Sequence, residues 1–199
     1  CYSLQRMKIL SSLAQRPAVG QTVCGDAAAI IEGEPFVVAI ADGLGHGPGA
    51  AEASTTFCNF VKEHAEEPLE SLMLTASRAL TPTRGAAAAI LRIDQEQEKL
   101  TFVGIGNIEL RAIGHYKSSC PAICLPGIVG RPLRRVKAFE AEFHIGDTLA
   151  LFTDGISTRF ELKQYKKLQF SDVAPTIMKE RGKDHDDATC LVLSSVKDE

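Results

Sequence analysis

Apolar residues along this chain fall into two periods, and the switches between them divide it into blocks. Residues 27–31 and 35–41 are short apolar runs, the second containing Phe36-Val37-Val38-Ala39-Ile40-Ala41, with the polar Glu32-Gly33-Glu34 between them. Two such runs around a turn-prone tripeptide predict a β-hairpin. From about residue 49 to 66 the spacing becomes helical, placing Ala50, Ala53, Phe57, Phe60/Val61 and His64 on one face. Pro68 opens a second helix carrying Leu69, Leu72/Met73, Ala76 and Leu80. After Gly85 the strand period returns. Residues 86–93 and 100–105 flank the polar loop 94–98 as another hairpin, and 107–113 continues it. Residues 136–145 alternate, with Phe139, Ala141, Phe143 and Ile145 opposite Glu140, Glu142 and His144. Gly146-Asp147 turns into a buried strand at 148–153, residues 171–180 form a short helix with Ser171 as N-cap, and 188–193 is a closing strand. Hairpins separated by helix blocks predict antiparallel sheets in an α+β domain, one domain over residues 1–199.

The acidic residues gain meaning from their places on these strands. Asp26 immediately precedes the first strand and Asp42 follows its hairpin partner, so antiparallel pairing makes them neighbours at one sheet edge. Asp154 follows the strand at 148–153, and Asp186-Asp187 precede the last strand, so pairing of those two strands gathers a second set. Each aspartate alone reads as an ordinary turn or cap residue. The set points elsewhere, because crowded carboxylates raise one another's pKa and a hard divalent cation relieves the conflict. Oxygen-only ligands favour Mg2+ or Mn2+ over zinc. Asp147 lies at the opposite end of its strand and reads as structural. The run Ala41-Asp42-Gly43-Leu44-Gly45-His46-Gly47-Pro48-Gly49 lacks the Gly-Lys-Ser/Thr ending of a P-loop. Its glycines instead let backbone carbonyls approach a metal and let the chain turn sharply into the helix.

Composition narrows the partners. With 45% hydrophobic residues the chain can bury a sizeable core, and a net charge of -3 without a basic stripe argues against nucleic acid. No apolar run approaches the ~20 residues of a membrane span, and no signal-peptide pattern opens the chain, so a cytoplasmic protein is expected. The six cysteines lack paired zinc-type spacing; Cys58 and Cys190 fall in apolar segments and read as core, with reduced thiols the expectation.

Gly25-Asp26, Ala41-Asp42-Gly43 with Gly45-His46-Gly47, Thr153-Asp154-Gly155 and Asp186-Asp187-Ala188-Thr189 together resemble the metal-dependent protein phosphatases, the PPM family, in order and spacing across roughly residues 20 to 195. The short length and the Gly-His-Gly turn are most similar to its bacterial regulatory branch, including phosphatases of stress-signalling (stressosome) proteins. Further support comes from Val23-Cys24, Arg84-Gly85-Ala86, Val103-Gly104 and Gly106-Asn107. The resemblance implies two antiparallel β-sheets packed as a sandwich flanked by helix pairs, with a two-ion Mn2+ or Mg2+ centre at one edge. It implies that Asp42 contacts both ions, that the Gly43 carbonyl binds one, and that Asp154 and Asp186 hold the other. Asp26 binds directly or through water, and Asp187 supports the site or replaces Asp186. A metal-activated water would then hydrolyse phosphoserine or phosphothreonine, with His46 a candidate proton donor to the leaving alkoxide. Arg16 is a candidate phosphate grip, and Arg84 reads as surface. The implied partners are phosphorylated scaffold or antagonist proteins of a stress-signalling complex. Another partner-switching or sporulation pathway, or a non-catalytic binding module of the same fold, stays open. The chain lacks the flap that larger relatives insert, which implies recognition of a folded phosphoprotein.

Overall fold

In the computed structural model, residues 7–116 and 122–198 are described. Among the described residues, nine strands and three helices follow in the order β1 (Met7–Arg16), β2 (Asp26–Ile31), β3 (Phe36–Gly43), α1 (Pro48–Glu63), α2 (Leu69–Ala79), β4 (Ala86–Asp94), β5 (Lys99–Ile105), β6 (Glu109–Ile113), β7 (Phe139–Glu142), β8 (Thr148–Phe152), α3 (Phe170–Arg181) and β9 (Ala188–Lys197). One sheet runs β2-β3-β4-β5-β7 and the other β1-β9-β8-β6, with antiparallel pairing throughout.

The sheets stack face to face. Val38, Ile40, Leu91 and Phe102 from the five-stranded sheet meet Leu149, Leu151, Leu191 and Leu193 from the four-stranded one. The outer face of the first sheet carries Val37, Ala39 and Ile90 against Phe57, Val61, Leu72 and Met73 of α1 and α2. β3 is therefore covered on both faces, which explains its unbroken apolar run. The second sheet is covered by Val173, Ala174 and Ile177 of α3, joined by a 3-10 turn at Leu162–Tyr165. One face thus bears the implied helix pair, and the other bears a single helix. Cys58 and Cys190 are buried in these cores, whereas Cys1 and Cys120 lie outside the described residues. No helix among the described residues is long and apolar enough to cross a membrane.

The structure departs from the sequence pattern at four places. β1 was not expected, because only Met7 and Ser12 of its ten residues are buried and the strand shows no apolar alternation. Its pairing with β9 over Met7↔Lys197 to Arg16↔Ala188 defines it. Residues 107–113 do not extend the β4–β5 hairpin; β6 crosses to the other sheet and pairs with β8. Gly106, at φ 97 and packed so that a Cβ would lie 2.5 Å from that of Ala87, makes the corner. The alternating stretch 136–145 shortens to β7, paired with β5 over four residues. Finally, α3 starts at Phe170 after Gln169, so Ser171 sits inside the first turn, its carbonyl accepting from Ser12 Oγ at 3.0 Å.

Phe102 is fully buried between the sheets. Phe102→Ala should lower unfolding free energy by about 3–5 kcal/mol, read as an earlier denaturation midpoint at unchanged slope.

Candidate metal centre

Register brings the first carboxylates together. β2 and β3 pair with Asp26 directly opposite Asp42. In the other sheet β8 pairs with β9, so Asp154, two residues beyond Phe152, and Asp186, two residues before Ala188, leave the same edge. One hydroxyl ties the two pairs together. Thr153 Oγ1 donates to Asp26 Oδ2 at 2.7 Å and accepts from the Thr189 amide at 3.0 Å, joining the sheets where the aspartates converge. Gly43 permits the helix to approach this edge, since a Cβ there would lie 2.0 Å from the Ala50 carbonyl oxygen. Asn107 Nδ2 donates to Asp154 Oδ2 at 2.7 Å, and Lys183 Nζ donates to the Asp154 carbonyl at 2.5 Å.

Burial makes this edge electrostatically unfavourable for bare carboxylates. Asp26 is 3% exposed, and its Oδ1 has no hydrogen-bond partner among the described residues. Burial pushes its pKa up to about 7; Asp187 and Asp186 push the same way, against the lowering hydrogen bond from Thr153. Asp42 is driven up to about 8, by burial first and then by Asp26, Asp154, Asp186 and Asp187. Asp186 is also raised, by burial and then by Asp154. Carboxylates from both sheets therefore share one field. An all-oxygen donor set with an orphaned buried carboxylate oxygen fits a hard divalent cation.

Asp26, Asp42, Gly43, Asp154 and Asp186 all come to this edge. Asp187 turns inward, where its Oδ1 accepts from the Ala18 amide at 2.9 Å and its Oδ2 is buried. His46 is exposed on the loop before α1. Arg16 is engaged elsewhere, 3.6 Å from the Asp184 carboxylate. Arg84 folds over the glycine loop: Nη1 approaches the His46 carbonyl at 3.4 Å, and Nε lies 2.6 Å from where a Gly49 Cβ would sit. Thr153 and Lys183 were not anticipated. Thr153 does precede Asp154-Gly155, but no sequence pattern pairs its hydroxyl with a carboxylate 127 positions away.

Comparison with known proteins gives this geometry its family. The sequence profile of Stage II sporulation protein E (SpoIIE) matches residues 32–196. The chain belongs to the SpoIIE family of PP2C-type phosphatases. It is 32% identical to phosphoserine phosphatase RsbX of Bacillus subtilis (strain 168) over 141 residues, 69% of this chain and 70% of that protein. A crystal structure of RsbX in complex with magnesium superposes with TM-score 0.81 at 26% identity, covering 95% of both chains. A chain from a study of the bacterial stressosome as a modular system superposes with TM-score 0.88 at 26% identity, covering 94% of this chain and 99% of that one. A structure of the PP2C phosphatase domain and a fragment of the regulatory domain of SpoIIE from Bacillus subtilis shares the fold at TM-score 0.79 and 18% identity, over 98% of this chain and 65% of that one. The SpoIIE-family chain is accordingly a metal-dependent protein serine/threonine phosphatase.

The raised carboxyls carry a pH signature. Without metal, Asp26 and Asp42 stay protonated in the folded state up to about 7 and about 8, whereas the unfolded chain releases those protons near the usual ~4. The folded state binds more protons in that window, so this contribution to stability is present below pH ~4 and is lost as pH rises through 7–8. Melting in chelator should show the decline, and Asp42→Asn should flatten it. Added Mg2+ or Mn2+ should raise Tm more at pH ~8 than at pH ~5, because the cation displaces the protons. Equal metal shifts at both pH values would contradict this electrostatic account.

Proposed function

We propose that this phosphatase removes phosphate from phosphoserine or phosphothreonine of a stress-signalling assembly, its substrate being a phosphorylated scaffold or antagonist protein. Residues 1–199 act as a single catalytic domain in this reading. The observation that carries the chemistry is the convergence of Asp26, Asp42, Asp154 and Asp186 from two sheets on one edge. Similarity to RsbX and to a stressosome structure supports the choice of substrate.

The residues at the edge fit two ions, Mg2+ or Mn2+. Asp42, the Gly43 carbonyl, Asp154 and Asp186 would hold them, with Asp26 contributing directly or through water. When bound, such ions supply an activated water near neutral pH and neutralise charge on the phosphoryl oxygens. Asp187, held by the Ala18 amide, braces the inner wall, which leaves Asp186 as the ligand of the pair. Thr153 fixes the carboxylate plane of Asp26, and Asn107 fixes that of Asp154. His46, exposed on the loop that follows Asp42-Gly43, would deliver the proton that a serine or threonine alkoxide needs on leaving. Arg84, draped over the loop beside it, offers a guanidinium for the phosphoryl group.

Hydrolysis of p-nitrophenyl phosphate should depend on added Mn2+ or Mg2+ and should fall by roughly two orders of magnitude or more in Asp42→Asn. Absence of turnover in any divalent cation, from a folded protein, would leave a binding module. His46→Gln should slow release of serine from a phosphoprotein but spare p-nitrophenyl phosphate, whose phenolate departs without a proton.

An antagonist protein of a sporulation or other partner-switching pathway is the second reading, favoured by the SpoIIE profile. A panel of intact phosphoproteins distinguishes the two by kcat/KM. In either pathway the intact phosphoprotein should far exceed its isolated phosphopeptide as substrate, and equal rates would refute docking of a folded partner.

A further inference from the structure

The opposite end of the sandwich holds a second cluster of metal-type side chains with different chemistry. His115 follows β6 of one sheet, Glu142 ends β7 of the other, and His144 lies in the turn between β7 and β8. One donor atom of each lies within 4.8 Å of the others. The five residues of β8 separate this cluster from the catalytic aspartates by roughly 17 Å.

Both imidazoles are oriented by carboxylates. Asp147, buried at 2% exposure, receives His115 Nδ1 at 2.5 Å and the His115 amide at 3.0 Å, and also accepts the His144 amide at 2.7 Å. No hydrogen bond among the described residues engages His115 Nε2. His144 Nδ1 meets Glu98 Oε2 at 3.1 Å, and its Nε2 lies 3.2 Å from Glu142 Oε2. The rings stand 4.4 Å apart. Tyr116 packs its ring at a tilt against His115 and donates to the Glu142 carbonyl at 2.9 Å, tying the same two segments. A histidine whose one nitrogen is held by a carboxylate presents the other, in a fixed direction, as a metal ligand.

We propose that His115 Nε2, His144 Nε2 and Glu142 form a second cation site, selective for borderline first-row ions of the Zn2+ class and distinct from the magnesium-type catalytic edge. Tetrahedral Zn2+ with ligands at about 2.0–2.1 Å needs ligand atoms about 3.4 Å apart, a separation the His144–Glu142 pair already has. Two imidazoles and one carboxylate leave a fourth position for water, and imidazole selects against Mg2+. The bound ion clamps the end of β6 to the β7–β8 turn, joining the sheets at the end remote from catalysis.

Cobalt is the probe. Tag-free protein in excess Mg2+, titrated with Co2+, should develop the intense visible bands of four-coordinate cobalt at one equivalent, and Zn2+ should bleach them. Asp42→Asn should keep the bands. Glu142→Gln, an exposed substitution, should weaken Co2+ affinity at least tenfold, and His115→Gln should abolish the bands. Zn2+ should raise Tm of wild type and Asp42→Asn but not of His115→Gln, with phosphatase activity in Mg2+ unchanged in Glu142→Gln. Bands that vanish in Asp42→Asn and persist in His115→Gln would assign the cobalt to the catalytic edge and overturn the proposal. So would the absence of tetrahedral bands in wild type.

Discussion

Mutual repulsion among the carboxylates at one edge of the sandwich is the constraint to which the architecture answers. Neither sheet creates the cluster alone. One supplies Asp26 and Asp42 by direct cross-strand register, and the other supplies Asp154 and Asp186 from the ends of β8 and β9. Only face-to-face packing of the two apolar inner faces brings the sets together. The Thr153 hydroxyl, shared between Asp26 and the Thr189 amide, sits at that junction. The packing is driven by burial of side chains such as Phe102 and Leu151, which is non-directional. Hydrogen bonds at the edge then convert close approach into fixed orientation. Protons or divalent cations must neutralise what the packing has concentrated.

The two ends of the sandwich are chemically unlike. The aspartate edge gathers carboxylate oxygens and is deeply desolvated at Asp26. The opposite end is built on one buried carboxylate, Asp147, surrounded by imidazoles and exposed glutamates. β8 runs between them, with Asp147 before its first residue and Asp154 two residues beyond its last. An aspartate near each end of one strand thus serves two purposes, decided by the elements that meet it. At one end Asp154 faces other acids, and at the other Asp147 faces amides and a histidine.

Sequence alone made the hairpin at residues 27–41 and its two flanking aspartates legible, because the apolar runs were continuous and the turn polar. The apolar strand at 148–153 and the closing strand made Asp154 and Asp186 legible in the same way, and the family motifs added Gly43. β1 stayed invisible since its polar serines and glutamine carry no alternation, and only ladder bonds to a strand some 180 positions later define it. The sheet switch at Gly106 was equally hidden, as a glycine corner and a continuing hairpin look alike in one dimension. Asp186 and Asp187 are adjacent and chemically identical in sequence; the amide of Ala18 distinguishes them in space. Arg84 is exposed, as its place in the sequence suggests, but nothing local indicates that its side chain folds back over Gly49.

The central place of β9 in its sheet, between β1 and β8, bears on synthesis by the ribosome. The five-stranded sheet has all its strands once Glu142 has emerged, so it can fold early with α1 and α2 already on its back. The nascent four-stranded sheet, in contrast, lacks its middle until residues 188–197 are made, a delay of several seconds at roughly 5–20 residues per second. During that interval β1 and β8 have no partner between them, and Asp186 is absent until just before β9 is made. A chain interrupted before then carries only the Asp26, Asp42 and Asp154 portion of the edge. Strand order itself therefore denies incomplete translation products the full set of aspartates.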